Sequence, residues 1–258
     1  MRRIGCLMRR IGVTLSPLTV SPCHVWNGPM TIADIPGAAR PHQAHLAPLT
    51  DETLAHGLRD LANRDPDLAQ ILTELGPPPM WARPPGFPTL IHIILEQQVS
   101  LASARAAYER LLAIAAPLTP ARFLALDDAA LKTAGFSRQK TVYGRHLAAA
   151  VEEGRLDLDA LHGLEDAVVR AELIAHKGIG PWTADIYLLV ALRRPDVWPS
   201  GDLALAGAVQ NVKRLPARPT PAEMDAISAA WRPWRAVAAR LLWRHYLNPK
   251  RTEDQPNG

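Results

Sequence analysis

Proline sets the grain of this chain. It occurs 24 times in 258 residues, about twice its usual share of roughly 5%, and several prolines stand where helices begin. Asp65-Pro66, Thr119-Pro120 and Thr220-Pro221 each join a side chain able to accept an N-terminal N–H to a residue preset for the first helical position. Pro181 follows Gly180 in the same role. Gly76, Gly135 and Gly154 mark stops, where a left-handed residue ends a helix without strain. Such punctuation gives many short elements with sharp ends.

Between the stops the apolar spacing is helical. Leu54, Leu58 and Leu61 follow Thr50, and Leu68, Ile71, Leu72 and Leu75 follow Asp65. After a Pro-rich loop over 77–88, a helix runs through Leu90, Ile91, Ile94 and Leu95 into Glu96-Gln97-Gln98. Ser100 opens another with Ala104, Tyr108 and Leu111, and Ser137 opens one with Val142, His146 and Ala150. Two helices flank Lys177-Gly178-Ile179-Gly180, one begins near Leu203, and the last is expected from Pro233 to about Leu247. No segment alternates with period two, and no repeat is visible. The expected fold is all-α, with about ten short helices.

Composition removes several function classes. The only cysteines are Cys6 and Cys23, which excludes a disulfide scaffold, a four-cysteine zinc site and a cysteine-held iron–sulfur cluster from the body of the chain. No stretch approaches the 18 or so apolar residues of a spanning helix. Charge is uneven: residues 51–166 hold 11 basic and 16 acidic residues, and 167–258 hold 13 and 8. A basic C-terminal third hints at a polyanion-facing end. Residues 1–46, with five arginines and Asp34 alone as acid, read as a disordered or non-native N-terminal extension, with Met30 a candidate start. A signal peptide fits less well, because Pro17 breaks the apolar patch from Ile11 to Val20.

Four segments carry chemistry. In His176-Lys177-Gly178-Ile179-Gly180-Pro181-Trp182-Thr183-Ala184, one helix ends at a Gly-x-Gly turn and the next begins at once. The free N–H groups of such a turn suit a phosphate, although an ordinary helix–turn–helix corner has the same look. Asp202, in Ser200-Gly201-Asp202-Leu203, stands where a helix N-cap would. A carboxylate gripped by backbone N–H groups is also fixed in place beside any cation it must stabilise. Five of seven tryptophans lie beyond residue 180. Trp231 and Trp234 are expected as core fillers, and Trp182 and Trp243 as faces on which a flat base stacks. Last, Glu96-Gln97-Gln98-Val99-Ser100 places neutral amides at a helix-to-helix turn, either as a solvated helix end or as groups that enter a duplex gap.

The four segments together, with Arg232-Pro233-Trp234-Arg235, resemble the helix-hairpin-helix DNA glycosylase superfamily, most closely its 3-methyladenine DNA glycosylase II branch, over about residues 48–258. The resemblance implies two helical subdomains, about 88–196 with the hairpin and about 48–87 plus 197–258, with the active cleft between them. It makes Asp202 catalytic and puts Trp182, Ile186 and Trp243 around the base pocket, Ile186 standing where some relatives have an aromatic. It assigns Lys177, Gly178, Ile179, Gly180 and Thr183 to DNA binding and Gln98 to the wedge that fills the gap left by a flipped nucleotide. Carbonyls of Ile174, His176 and Ile179 would hold a monovalent cation, Na+ or K+, and no other cofactor is implied. Members that also cut the strand carry a Schiff-base Lys two residues after the second hairpin glycine. Here that residue is Trp182, so lyase chemistry is not expected.

The implied function is base excision repair by a monofunctional hydrolase. It would flip out alkylated purines such as 3-methyladenine and cut their N-glycosidic bond, acting as a monomer on damaged double-stranded DNA inside the cell, without a membrane. Action on deaminated or oxidised bases, or a non-catalytic module that marks damaged DNA, are the rival readings.

Overall fold

The computed structural model describes residues 47–248; the expected N-terminal extension lies outside them. They form twelve α-helices: α1 Asp51–Arg64, α2 Pro66–Leu75, α3 Phe87–Glu96, α4 Leu101–Ala115, α5 Pro120–Ala125, α6 Asp128–Ala134, α7 Arg138–Glu152, α8 Asp166–Ile174, α9 Pro181–Val190, α10 Leu203–Val212, α11 Pro221–Ser228 and α12 Arg235–Tyr246. Two single 3-10 turns, Ala160–Gly163 and Ala229–Trp231, complete the set, and no strand occurs among the described residues.

Local chemistry explains the starts. The side chains of Thr50, Asp65, Ser100, Thr119, Ser137 and Thr220 each accept a backbone N–H from the first turn they precede. Each such cap is worth about 1 kcal/mol. α12 begins at Arg235, two residues later than expected from Pro233. The N–H of Trp234 is held by the Trp231 carbonyl at 2.8 Å, which keeps Pro233 in the preceding turn.

Helix packing sorts the elements into two sets. In the first, α3 packs on α4, α7 and α9, with α5, α6 and α8 around them. In the second, α12 packs on α1, α2 and α10. Three helices are enclosed on nearly every side: α3, whose Phe87, Leu90, Ile91, Ile93, Ile94 and Leu95 are all buried, α9 and α12. An all-round apolar helix must sit inside its bundle, so α3 and α9 are the axis of one set; α12, which carries three arginines, is the axis of the other because α1, α2 and α10 all pack on it. The buried Arg240 of α12 joins the sets. It donates to the carbonyls of Leu189 (2.7 Å) at the end of α9 and of Met80 (2.9 Å) in the loop before α3.

Enclosing α9 also seals in Asp185, which is 3% exposed and paired with Arg170 of α8. Burial pushes its carboxyl up from 3.8 to about 7, against the pull of Arg170. The folded protein therefore holds a proton that the unfolded chain has released. On that account stability falls as pH climbs from about 4 to about 7, by a few kcal/mol. The Asp185→Asn variant is expected to flatten that slope in urea unfolding measured at pH 5 and pH 8. An unchanged slope would remove Asp185 as its source.

Candidate active site

The carboxylate of Asp202 stands where the two helix sets meet. As the N-cap of α10 it accepts the Leu205 N–H on Oδ1 at 2.7 Å. Two indoles reach the same group. Trp182 of α9 donates Nε1–H to Oδ2 at 2.8 Å, and Trp243 of α12 donates Nε1–H to Oδ1 at 3.2 Å. Helices from both sets thus converge on one side chain, 9% exposed. A carboxylate offers about four lone-pair positions. Three are taken here, which fixes the group in rotation while leaving one acceptor position.

Trp182 sits at the second position of α9, so the hairpin that starts this helix also places its indole. Gly178 has φ +91, a left-handed angle, and a Cβ there would overlap the ring of Tyr143. Both facts require glycine. Gly180 differs: its backbone is extended (φ −94, ψ 178) and an added Cβ would meet nothing within 4 Å. Only one of the two hairpin glycines is therefore needed for backbone conformation. Gly180 is the N-cap of α9 and no side chain caps that helix, which leaves its first N–H groups to an outside acceptor. Lys177 is exposed and, with Arg138, Gln139, Val142 and Tyr143, lines an open groove of about 450 Å³ beside the turn.

The sequence profile of the HhH-GPD superfamily base excision DNA repair proteins matches residues 91–234, which take in the second half of α3, the hairpin, Asp202 and Trp234. This chain belongs to that superfamily. A putative DNA-3-methyladenine glycosylase of Bacillus subtilis, YfjP, is 33% identical over 125 residues, 48% of this chain and 44% of that protein. The chain thus spans under half of that relative's length. Among solved structures, the Schizosaccharomyces pombe 3-methyladenine DNA glycosylase Mag1, in complex with abasic DNA, superposes with a TM-score of 0.70 at 25% identity, covering 75% of this chain and 98% of the other. A DNA-3-methyladenine glycosidase of Bacillus halodurans superposes at 0.63 with 31% identity, covering 80% and 93%.

In this HhH-GPD protein the site differs from the sequence reading at several residues. The Thr183 side chain is 2% exposed and its hydroxyl accepts from Gln97 Nε2 at 3.0 Å, so only its backbone N–H, in the uncapped first turn of α9, is left for DNA. The reason is helical phase: the side chain at position 183 turns toward the end of α3. Ile179 is likewise 4% exposed, and its N–H is taken by the His176 carbonyl. The amide of Gln97 is not a probe of the duplex. It donates to the Gly178 carbonyl (2.9 Å) as well as to Thr183, and so bolts the α3–α4 turn to the hairpin. Gln98 is exposed in that turn, as are Val99 and Ser100, and has φ +55. Ile186, 5% exposed, lies one helical turn behind Trp182 and packs in the core. The carbonyl of His176 accepts the Ile179 N–H at 3.1 Å and keeps its second lone pair. The sequence reading missed Trp81 altogether. It lies edge-to-face with Trp243, ring centres 6.5 Å apart.

The two glycines can be separated by experiment. Gly178→Ala is expected to cost about 2 kcal/mol or more in urea unfolding, from its left-handed angle and the Tyr143 overlap. Gly180→Ala should change stability by no more than about 0.5 kcal/mol and weaken duplex binding, because its Cβ would stand over the N–H groups a phosphate needs. Equal stability losses in the two variants would contradict the assigned backbone geometry.

Proposed function

We propose that this chain is a monofunctional DNA glycosylase acting on alkylated purines in double-stranded DNA. The observation that carries the reading is the Asp202 carboxylate, held at the junction of the helix sets by two indole N–H groups. Relatives and structural neighbours named as 3-methyladenine glycosylases support the substrate class. The position two residues after Gly180, occupied by Trp182, offers no amine for a Schiff base, which supports hydrolysis without strand cleavage.

The chemistry follows from the substrate's charge. A base stacked in a duplex cannot be reached, so the nucleotide must be flipped out, a requirement shared by glycosylases in general. N-alkylation leaves a purine cationic. It stacks well on an electron-rich indole, by roughly 0.5–2 kcal/mol, and it already has a good leaving tendency. When the C1′–N bond breaks, the electron pair stays on the base and cancels its charge, and positive charge grows at C1′. The carboxylate of Asp202 faces that charge and stabilises it, as in glycoside hydrolysis. Its remaining acceptor position takes a proton of the attacking water. Water oxygen bonds to C1′, and the released proton passes through the carboxylate to solvent.

The deciding measurement is release of free base from methylated duplex DNA. Release without strand cleavage is the expected result. Duplex binding with no release of any base would instead favour a damage-marking module, and release confined to uracil or hypoxanthine would move the substrate class.

The same reading keeps the carbonyls of Ile174, His176 and Ile179 as ligands of Na+ or K+ in the DNA complex. The free lone pair on His176 supports this, since carbonyl oxygens replace the hydration of such ions. Replacing K+ by tetramethylammonium at constant ionic strength should then weaken duplex binding, and unchanged affinity would count against the ion.

A further inference from the structure

Trp81 is the single exposed tryptophan among the described residues, at 36%. Its backbone has φ +49, an uncommon conformation for a bulky side chain. Such an angle persists only where the surroundings over-determine it, and here they do. The Met80 carbonyl before it accepts from the buried Arg240 Nε at 2.9 Å. Two residues after it, the Arg83 N–H donates to the Val190 carbonyl at 2.9 Å, and the Arg83 guanidinium grips Glu96 with both terminal nitrogens, at 3.1 and 2.6 Å. The short segment is therefore a strut clamped to α12, the end of α9 and the end of α3, with one large apolar ring presented outward.

That ring stands at the site. Its plane makes 72° with that of Trp243, whose nitrogen donates to Asp202. Two indoles nearly at right angles form a corner. A planar base lying flat on one wall must turn its rim to the other. The rim of an N-alkylated purine carries the positive charge and the alkyl group, and an indole attracts both.

We propose that Trp81 is a specificity-determining wall of the base site, contacting the flipped alkylated purine beside Trp243. The proposal rests on the glycosylase reading above. The fixed strut means that the wall is in place before the base arrives, so its contribution belongs to the base-release step and not to general DNA grip.

The test uses the full chain and a duplex with a single 7-methylguanine, in single-turnover release at saturating enzyme, with affinity for the undamaged duplex measured alongside. Trp81→Ala is expected to slow release about tenfold (about 1.4 kcal/mol) and to leave undamaged-duplex affinity within about twofold, the size of effect expected where no phosphate contact is lost. Trp81→Phe restores most of the rate because it keeps an aromatic ring, while Trp81→Leu, with bulk but no ring, does not. Wild-type rates in Trp81→Ala, equal rescue by Phe and Leu, or a parallel loss of undamaged-duplex affinity would each overturn the proposal. No release by the wild-type protein would overturn the alkylated-purine reading itself, a distinguishable result.

Discussion

The Asp202→Asn variant should fold, bind damaged duplex and release base at least about a hundredfold more slowly than wild type, the scale of losing one preorganised charge-stabilising group. The substitution separates the two duties of this residue. As an N-cap, Asn serves nearly as well as Asp, and its Oδ1 can keep the bonds from Leu205 N–H and Trp243. Its amide nitrogen then faces the Trp182 N–H, donor against donor, where Oδ2 accepts at 2.8 Å. That lost bond costs about 1–3 kcal/mol of stability, a visible but survivable loss. The missing negative charge acts on the developing cation at C1′ and should dominate the kinetics. Single-turnover release and equilibrium binding of the same duplex check both halves. Near-wild-type release would take Asp202 out of the chemistry.

Arg240→Ala is expected to produce the largest loss of stability, about 3–5 kcal/mol. The side chain is wholly buried and its guanidinium donates to the carbonyls of Met80, Leu189 and Ala236. Burial, with Arg193 adding repulsion, brings it down to about 10, so it stays charged at neutral pH. The negative end of the α9 dipole, where Leu189 lies, helps to hold that charge. Truncation leaves a cavity and strips the buried Leu189 carbonyl and the half-buried Met80 carbonyl of this donor. A domain near 200 residues loses roughly 2–4 °C of melting temperature per kcal/mol, so the melting temperature should fall by roughly 6–20 °C. A shift under about 2 °C would show that the sets are held by other contacts.

Much of the fold was legible in the sequence because helix ends are local events. Asp65 accepts from Asp67 and Leu68, two and three residues on, and Ser137 from Lys140. Such caps need no knowledge of the rest of the chain. Asp202 as an N-cap was readable for the same reason. The start of α12 was misread because the Trp234 N–H closes a turn on Trp231, a competition that proline alone does not announce. That the Thr183 side chain turns inward was not legible, because its neighbours in sequence, Lys177 to Trp182, belong to the turn. Its own direction depends on how α9 is rotated against α3.

The rest of the site joins residues far apart in the chain. Trp182 and Trp243 lie 20 and 41 residues from the carboxylate they share, and both had been read only for their ring faces. That their nitrogens reach Asp202 depends on the approach of α9 and α12 at the junction of the helix sets. Trp81 gave no signal in sequence, since a tryptophan in a Pro-rich loop has no periodicity to assign it. Only the clamps from Arg240, Val190 and Glu96 aim it. The sequence by itself determined the helices, their ends, the hairpin and the acid at the head of α10, because those rest on hydrogen bonds between near neighbours. The tertiary structure alone decided which indoles hold that acid and which ring stands beside them, because side-chain direction is set by the packing of one helix on another.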